Sequence, residues 1–243
     1  MNFTAIHHAF ISALALFVCS IPSANAYNFI PEEHEFNTWP RYCQAIYASI
    51  GIEKKYARRI PLNEQKRWKK WADPSGAWHY CASTVWINRA KVEMDPRVRK
   101  FNYERAIANA KYSYVHCPKS QPIRAKMGTT LARAYKGIGD VGLAIEYLKE
   151  VMVDHPDYPG SYQLMSLILR DAGQLKESLD ILLKGNEATG GDSAELHYFL
   201  GLAYLMLDDV KSAKKHADKA YTLGYPLPGL RNKLKKKGVY SSK

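Results

Sequence analysis

The chain has 243 residues, 47% of them hydrophobic and 12% aromatic, with 35 Lys and Arg against 23 Asp and Glu. A formal charge of +12 attracts polyanions, anionic membrane surfaces or an acidic protein by long-range, salt-sensitive forces. Nucleic acid is excluded as a partner, because no nucleic-acid-binding signature is present and the chain begins with an export pattern.

That pattern occupies residues 1–26. Ala9 to Val18 is an apolar run of the length of a signal-peptide core, followed by Pro22 and an Ala24-Asn25-Ala26 cleavage pattern. The run is short for a membrane span. It predicts cleavage near Ala26 and a mature chain that begins at Tyr27 in the periplasm or is secreted; retention as an apolar anchor is the alternative. The segment before the run carries no Lys or Arg, only His7, His8 and the amino terminus. Acylation at Cys19 is disfavoured by the bulky Leu16-Phe17-Val18 before it.

Residues 27–122 read as an aromatic-rich helical region. All five tryptophans, Trp39, Trp68, Trp71, Trp78 and Trp86, fall here, interleaved with Tyr42, Tyr47, Tyr56 and Tyr80. Helices are predicted from Trp39 to Ile50, Pro61 to Trp71, Trp78 to Lys91 and about Val98 to Val115. The last two, over 78–118, form a divergent helix pair expected to cap the units that follow. The tryptophans serve core packing or, alternatively, offer flat faces to sugar rings. Between Glu53 and Trp71 lie eight Lys and Arg against Glu53 and Glu64. This is either a solvated face or a patch for anionic glycan or membrane surface.

Cys43, Cys81 and Cys117 remain after cleavage, so at most one intramolecular pair can form. Cys43 and Cys81 sit in predicted helices beside small residues, and a bridge between them would staple this region in an oxidising compartment. A metal site is the competing reading, since His79 lies near Cys81 and His116 abuts Cys117, with His34 upstream. No Cys-x-x-Cys or His-x-x-x-His spacing supports it, and neither metal nor cofactor is expected.

Over residues 123–227 a pattern returns three times: Ala132-x-x-Tyr135-x-x-x-Gly139-x-x-x-x-Ala144, Ser166-x-x-Leu169-x-x-x-Gly173-x-x-x-x-Ser178, and Gly201-x-x-Tyr204-x-x-x-Asp208-x-x-x-x-Ala213. The step is 34 and then 35 residues. Such a period signals a solenoid of helix pairs, each burying its apolar face on its neighbours. Leu131, Ala132 and Tyr135 share one helical face, Gly139-Asp140 breaks it, and Ala144, Leu148 and Val151 share the next. Pro156 and Pro159 mark the exit from the first pair, and Asp192-Ser193-Ala194-Glu195 reads as a cap opening the third. Gly185 and Gly190 depart from the pattern late in the second pair.

The motif resembles the tetratricopeptide repeat family. The resemblance implies an all-α, helix-turn-helix repeat solenoid acting through protein–protein interaction. It also implies a concave groove lined by Lys126, Thr129, Arg133 and Lys136, then Gln163, Leu167 and Arg170, then Tyr198 and Leu202. Family members that clamp a terminal carboxylate do so with Lys, Asn and Arg; the corresponding places here include Thr129, Leu164, Glu195 and Phe199, so that clamp is absent. Arg133 and Arg170 can pair as planar forks with acidic side chains or phosphate.

Residues 228–243 form a basic tail with no acid, in which a helix carrying Leu230 and Leu234 is expected to cover Tyr198, Leu202 and Leu205. No nucleophile elbow, phosphate-cradling loop, His-Glu-x-x-His or dinucleotide fingerprint is present. Catalysis would require His79, Cys81, His116 and Cys117 to converge. The expectation is a non-enzymatic scaffold or adaptor with a protein partner, against a glycan- or anionic-surface-binding module.

Overall fold

The computed structural model describes residues 29–72 and 76–239; the predicted signal peptide lies outside them. Among the described residues every regular element is an α-helix: α1 (Glu33–Thr38), α2 (Arg41–Ile50), α3 (Lys54–Ala57), α4 (Leu62–Ala72), α5 (Ala77–Val92), α6 (Pro96–His116), α7 (Ile123–Ile138), α8 (Val141–Asp154), α9 (Pro159–Asp171), α10 (Leu175–Ala188), α11 (Ala194–Met206), α12 (Val210–Thr222) and α13 (Gly229–Lys236). None is long and apolar enough to cross a membrane.

From α5 onward the helices pack as successive pairs, α5 on α6, α7 on α8, α9 on α10 and α11 on α12. The first helices also touch one another in sequence, α5 to α7 to α9 to α11 to α13, and form one continuous row. This is the topology of a helix-pair solenoid, and it bears out the all-α repeat fold implied by the tetratricopeptide resemblance.

The motif residues explain the pairing. Ala132, Ala144 and Ala213 are fully buried, and so is Leu148, because small side chains let paired helices approach while larger ones fill the gaps beside them. The turns use left-handed backbone at equivalent places: Gly139 has φ 96°, Gly173 φ 79° and Asp208 φ 61°. Glycine takes such angles freely, whereas Asp208 is the described non-glycine residue held there. Asp140, Ser193 and Asp209 then cap α8, α11 and α12 by accepting backbone N–H groups of Leu143, Leu196 and Ser212 at 3.0–3.2 Å. Each such cap stabilises its helix by about 1 kcal/mol.

The N-terminal region is built differently. Phe36 and Tyr56 stack with ring centres 4.0 Å apart, and Trp39 and Tyr47 pack beside them. Buried phenols fasten the extended segment before α1: Tyr47 donates to the Phe29 carbonyl at 2.6 Å and Tyr56 to that of Pro31 at 2.9 Å. Arg89 of α5 grips Glu35 of α1 through two 2.7 Å hydrogen bonds. Cys43 of α2 is joined to Cys81 of α5 in a disulfide with Cα atoms 5.6 Å apart.

At the other end α13 takes the place a further first helix would occupy. Leu230 and Leu234 are fully buried against α11 and α12, and a Cβ on Gly201 would collide with Leu230 Cδ2. An exposed end of a repeat array needs such a cover.

Candidate functional site

α5, α7, α9 and α11 adjoin in sequence, and Arg133 of α7 is coupled electrostatically to groups on the other three. Its guanidinium is partly buried and donates no hydrogen bond among the described residues. Its charge acts on Tyr80 of α5, on Tyr158 at the start of α9 and on Glu195 in the first turn of α11. Burial dominates at each of these groups. It pushes the Tyr158 phenol up to about 12 and the Glu195 carboxyl above its usual range, while Arg133 pulls both the other way. Tyr80 is raised well above its ordinary value, by burial and then by the neighbouring Tyr42 hydroxyl 3.2 Å away.

The same face continues toward α2. Lys126 sits over the Tyr42 ring at 5.2 Å, and Tyr42 packs against Trp68 at 5.8 Å. The resulting surface is rich in phenols and carries a guanidinium, with Lys91 in its field, that donates no hydrogen bond among the described residues. A half-dehydrated guanidinium gains most from a ligand that supplies a planar anion, since charge-assisted bidentate hydrogen bonds are about twice as strong as neutral ones.

The nine residues expected to line a groove separate into three sets. Lys126 and Arg133 belong to the face just described, and Gln163 is partly buried on α9. Lys136, Leu167, Arg170 and Leu202 lie toward the C-terminal ends of their helices, where Asp171 binds both Lys136 and Arg170 at 2.8 Å. Arg170 is therefore engaged by its own neighbour, unlike Arg133. Leu167, Arg170 and Leu202 join Phe199 and Met206 in lining a narrow cleft between α9 and α11.

Two members of the expected groove are corrected. Thr129 is 2% exposed, because α7 is packed by α5, α6, α8 and α9. Tyr198 is 9% exposed, stacked on Tyr225 at 4.1 Å and covered by the segment that enters α13. Neither is open to a partner. Conversely, Tyr42, Tyr80 and Tyr158 come to the site from outside the repeat positions used to infer it, and Glu195 from a repeat place that was weighed only for the absent carboxylate clamp. The sequence signals near them were the aromatic clustering that includes Tyr42 and Tyr80, the prolines on either side of Tyr158 and the cap at Asp192-Ser193-Ala194-Glu195, none of which points to Arg133.

Of the groups considered for redox or metal chemistry, His79 and His116 come together on either side of the Tyr112 ring, at 4.5 and 4.3 Å between ring centres, but the cysteines do not join them as ligands. The sulfur of Cys81 is committed to Cys43, and Cys117 is buried outside that bridge. His79 bonds Asn109 at 2.9 Å, and His116 bonds the Tyr112 carbonyl at 2.8 Å. Among the described residues no three His, Cys, Asp or Glu side chains are placed to hold a metal ion.

No protein-family model and no curated protein matches the chain. Solved structures similar to it include a MamA RS-1 double mutant, 19% identical, covering 74% of this chain and 94% of that one at a TM-score of 0.46. YrrB, described as a TPR protein with an unusual peptide-binding site, is 16% identical over 80% of this chain and 90% of its own, with a TM-score of 0.47. TTC0263, a TPR protein of Thermus thermophilus, is 17% identical over 68% of this chain and 92% of its own, with a TM-score of 0.46. At these values the assignment to a tetratricopeptide-type solenoid rests on the repeated motif and the helix pairing themselves.

Proposed function

We propose that the protein is an exported, non-catalytic adaptor of the cell envelope that holds a segment of a protein partner on its concave face. An acidic side chain of the partner seats on Arg133, and the surrounding tyrosines contact the partner's backbone and apolar groups. The observation that carries this reading is the partly buried Arg133, without a hydrogen-bond partner among the described residues and electrostatically coupled to Tyr80, Tyr158 and Glu195. Export rests on the pattern within residues 1–26, and the compartment agrees with a disulfide between Cys43 and Cys81. We assign the adaptor to assembly of a surface structure or secreted polymer on the same ground, a binding solenoid placed in the envelope.

The test is capture from an envelope extract by the chain beginning at Tyr27, compared with its Arg133→Ala form. A discrete protein retained at high salt by the parent and lost by Arg133→Ala supports the reading. Equal retention by both forms refutes it. Fractionation of cells for the full-length chain checks export: recovery only in the cytoplasm contradicts it.

A second reading is favoured by a separate observation. Lys54, Arg58, Lys66, Lys69 and Lys70 on α3, α4 and their connection are exposed, and none has an acidic partner among the described residues. An anionic glycan or membrane surface would bind there with steep salt dependence and indifference to Arg133→Ala.

A further inference from the structure

The lower part of the expected groove opens into a cleft of about 450 Å³ between α11 and α13. Its floor is apolar: Leu202, Leu205 and Met206 of α11, with Met206 half-exposed. Its rim is cationic. Lys233 and Lys236 of α13 and Lys237 just after it stand on one side and Arg170 on the other. Lys237 is held by Asp208 at 2.9 Å and Arg170 by Asp171, which leaves Lys233 and Lys236 without a carboxylate among the described residues.

We propose that this cleft binds one long-chain carboxylate, its chain on Leu202, Leu205 and Met206 and its head on Lys233 and Lys236. The reading is independent of the face around Arg133, none of whose residues lines the cleft. Three features select the occupant. An apolar floor beneath an all-cationic rim is complementary to an anion that carries hydrocarbon, and to neither a neutral chain nor a short anion. The volume lies in the range of small-ligand sites, about 300–1,000 Å³. A bilayer needs a convex or flat apolar surface, whereas here the apolar side chains lie between two helices.

The cleft follows from how the array ends. α13 buries Leu230 and Leu234 against α11 and α12, and its short length leaves the C-terminal turn of α11 uncovered. The basic side chains that keep α13 soluble therefore stand over the exposed apolar groups of α11.

The experiment is calorimetric titration of the full chain with dodecanoate below its micelle concentration, alongside octanoate, dodecanol and vesicles containing phosphatidylglycerol. The expected result is one dodecanoate per chain, weakened by salt; octanoate is bound at least tenfold more weakly, since each buried methylene contributes about a factor of four, and dodecanol at least tenfold more weakly because it lacks the charge that Lys233 and Lys236 recognise. Met206→Glu, at an exposed position, and Lys233→Gln with Lys236→Gln are each expected to weaken dodecanoate at least tenfold at unchanged helical content. Absence of saturable binding, equal binding of dodecanol, or indifference to both variants overturns the proposal. Binding to vesicles without binding of monomeric dodecanoate also overturns it and identifies a membrane surface as the occupant.

Discussion

The N-terminal region and the repeat array solve the same problem, burial of apolar helix faces, by opposite means. In the array each helix packs on the one before or after it, and cores such as that of Ala144, Leu148, Leu164 and Met165 draw on adjacent units. In the N-terminal region the ties join distant residues, running from α1, α2 and the residue between them to α5 at the start of the array: Cys43 to Cys81, Glu35 to Arg89 and Trp39 to Thr84 are separated by 38, 54 and 45 positions. The array is thus stabilised by repetition, and the N-terminal region by a few long-range fasteners. Breaking one fastener should loosen a whole region, while damage in the array should stay near its site.

The largest effect is expected from Cys43→Ala with Cys81→Ala. Releasing a loop of this span costs about 4 kcal/mol in the chain-entropy account. Because the tryptophans lie in this region, their fluorescence should report a lowered unfolding midpoint, with far-UV circular dichroism showing a second, later transition from the array. Coincident transitions would show that the two regions unfold as one.

Next is Leu230→Ala. Leu230 of the cap α13 is fully buried against α11 and α12, and its truncation costs about 3 kcal/mol through lost burial and the cavity left behind. Hydrogen exchange should accelerate in α11 to α13 and not in α2 or α5. Uniform acceleration would contradict local stacking.

A smaller effect separates the regions by pH. His197 Nδ1 and His216 Nδ1 lie 2.9 Å apart, and Tyr204 stacks on His216. Burial first, then the neighbouring His197, holds His216 down at about 4. A histidine with a lowered folded value binds its proton more readily when unfolded, so its stability contribution is full above its ordinary value and falls as pH drops toward 4. Allowing for solvent screening, the loss from pH 7 to pH 5 is about 1 kcal/mol and should vanish in His216→Gln. In the N-terminal region burial pushes the Glu35 carboxyl up, but its bonds to Arg89 and to its own helix start leave it below its ordinary value. Its contribution is therefore present at pH 5 and lost only on further acidification. A thermal melt series over this pH range distinguishes the two windows.

The smallest is Asp208→Gly. Relief of left-handed backbone at φ 61° outweighs the exposed contact with Lys237, for a net gain of about 0.5 kcal/mol. Gly139→Ala at the equivalent turn should lose about 1 kcal/mol, and equal effects at the two sites would contradict their equivalence.

The repeat array was legible because its determinants are local. Ala132, Gly139 and Ala144 state within a short stretch which faces touch and where the chain turns. The short helices α1 and α3 were not legible: Glu33–Thr38 and Lys54–Ala57 are too brief to show periodicity and are held by Arg89, Glu33, Arg59 and the buried Tyr56. The disulfide stood open beside a metal reading, since only the packing of α2 on α5 decides which sulfurs meet. The site was legible in part. Arg133 followed from repeat register, but Tyr42, Tyr80 and Tyr158 reach it from other elements, and Tyr198 was removed by the cover that α13 provides. Register says which way a helix faces and not what lies across from it.

The central claim is that Arg133 anchors an acidic protein partner, and the most direct measurement is high-salt capture by the parent chain beside Arg133→Ala and Lys66→Gln with Lys69→Gln and Lys70→Gln. The account predicts one protein retained by the parent and by the lysine variant and lost from Arg133→Ala. Retention that survives Arg133→Ala and disappears with the lysines would contradict it and place the binding surface on α4.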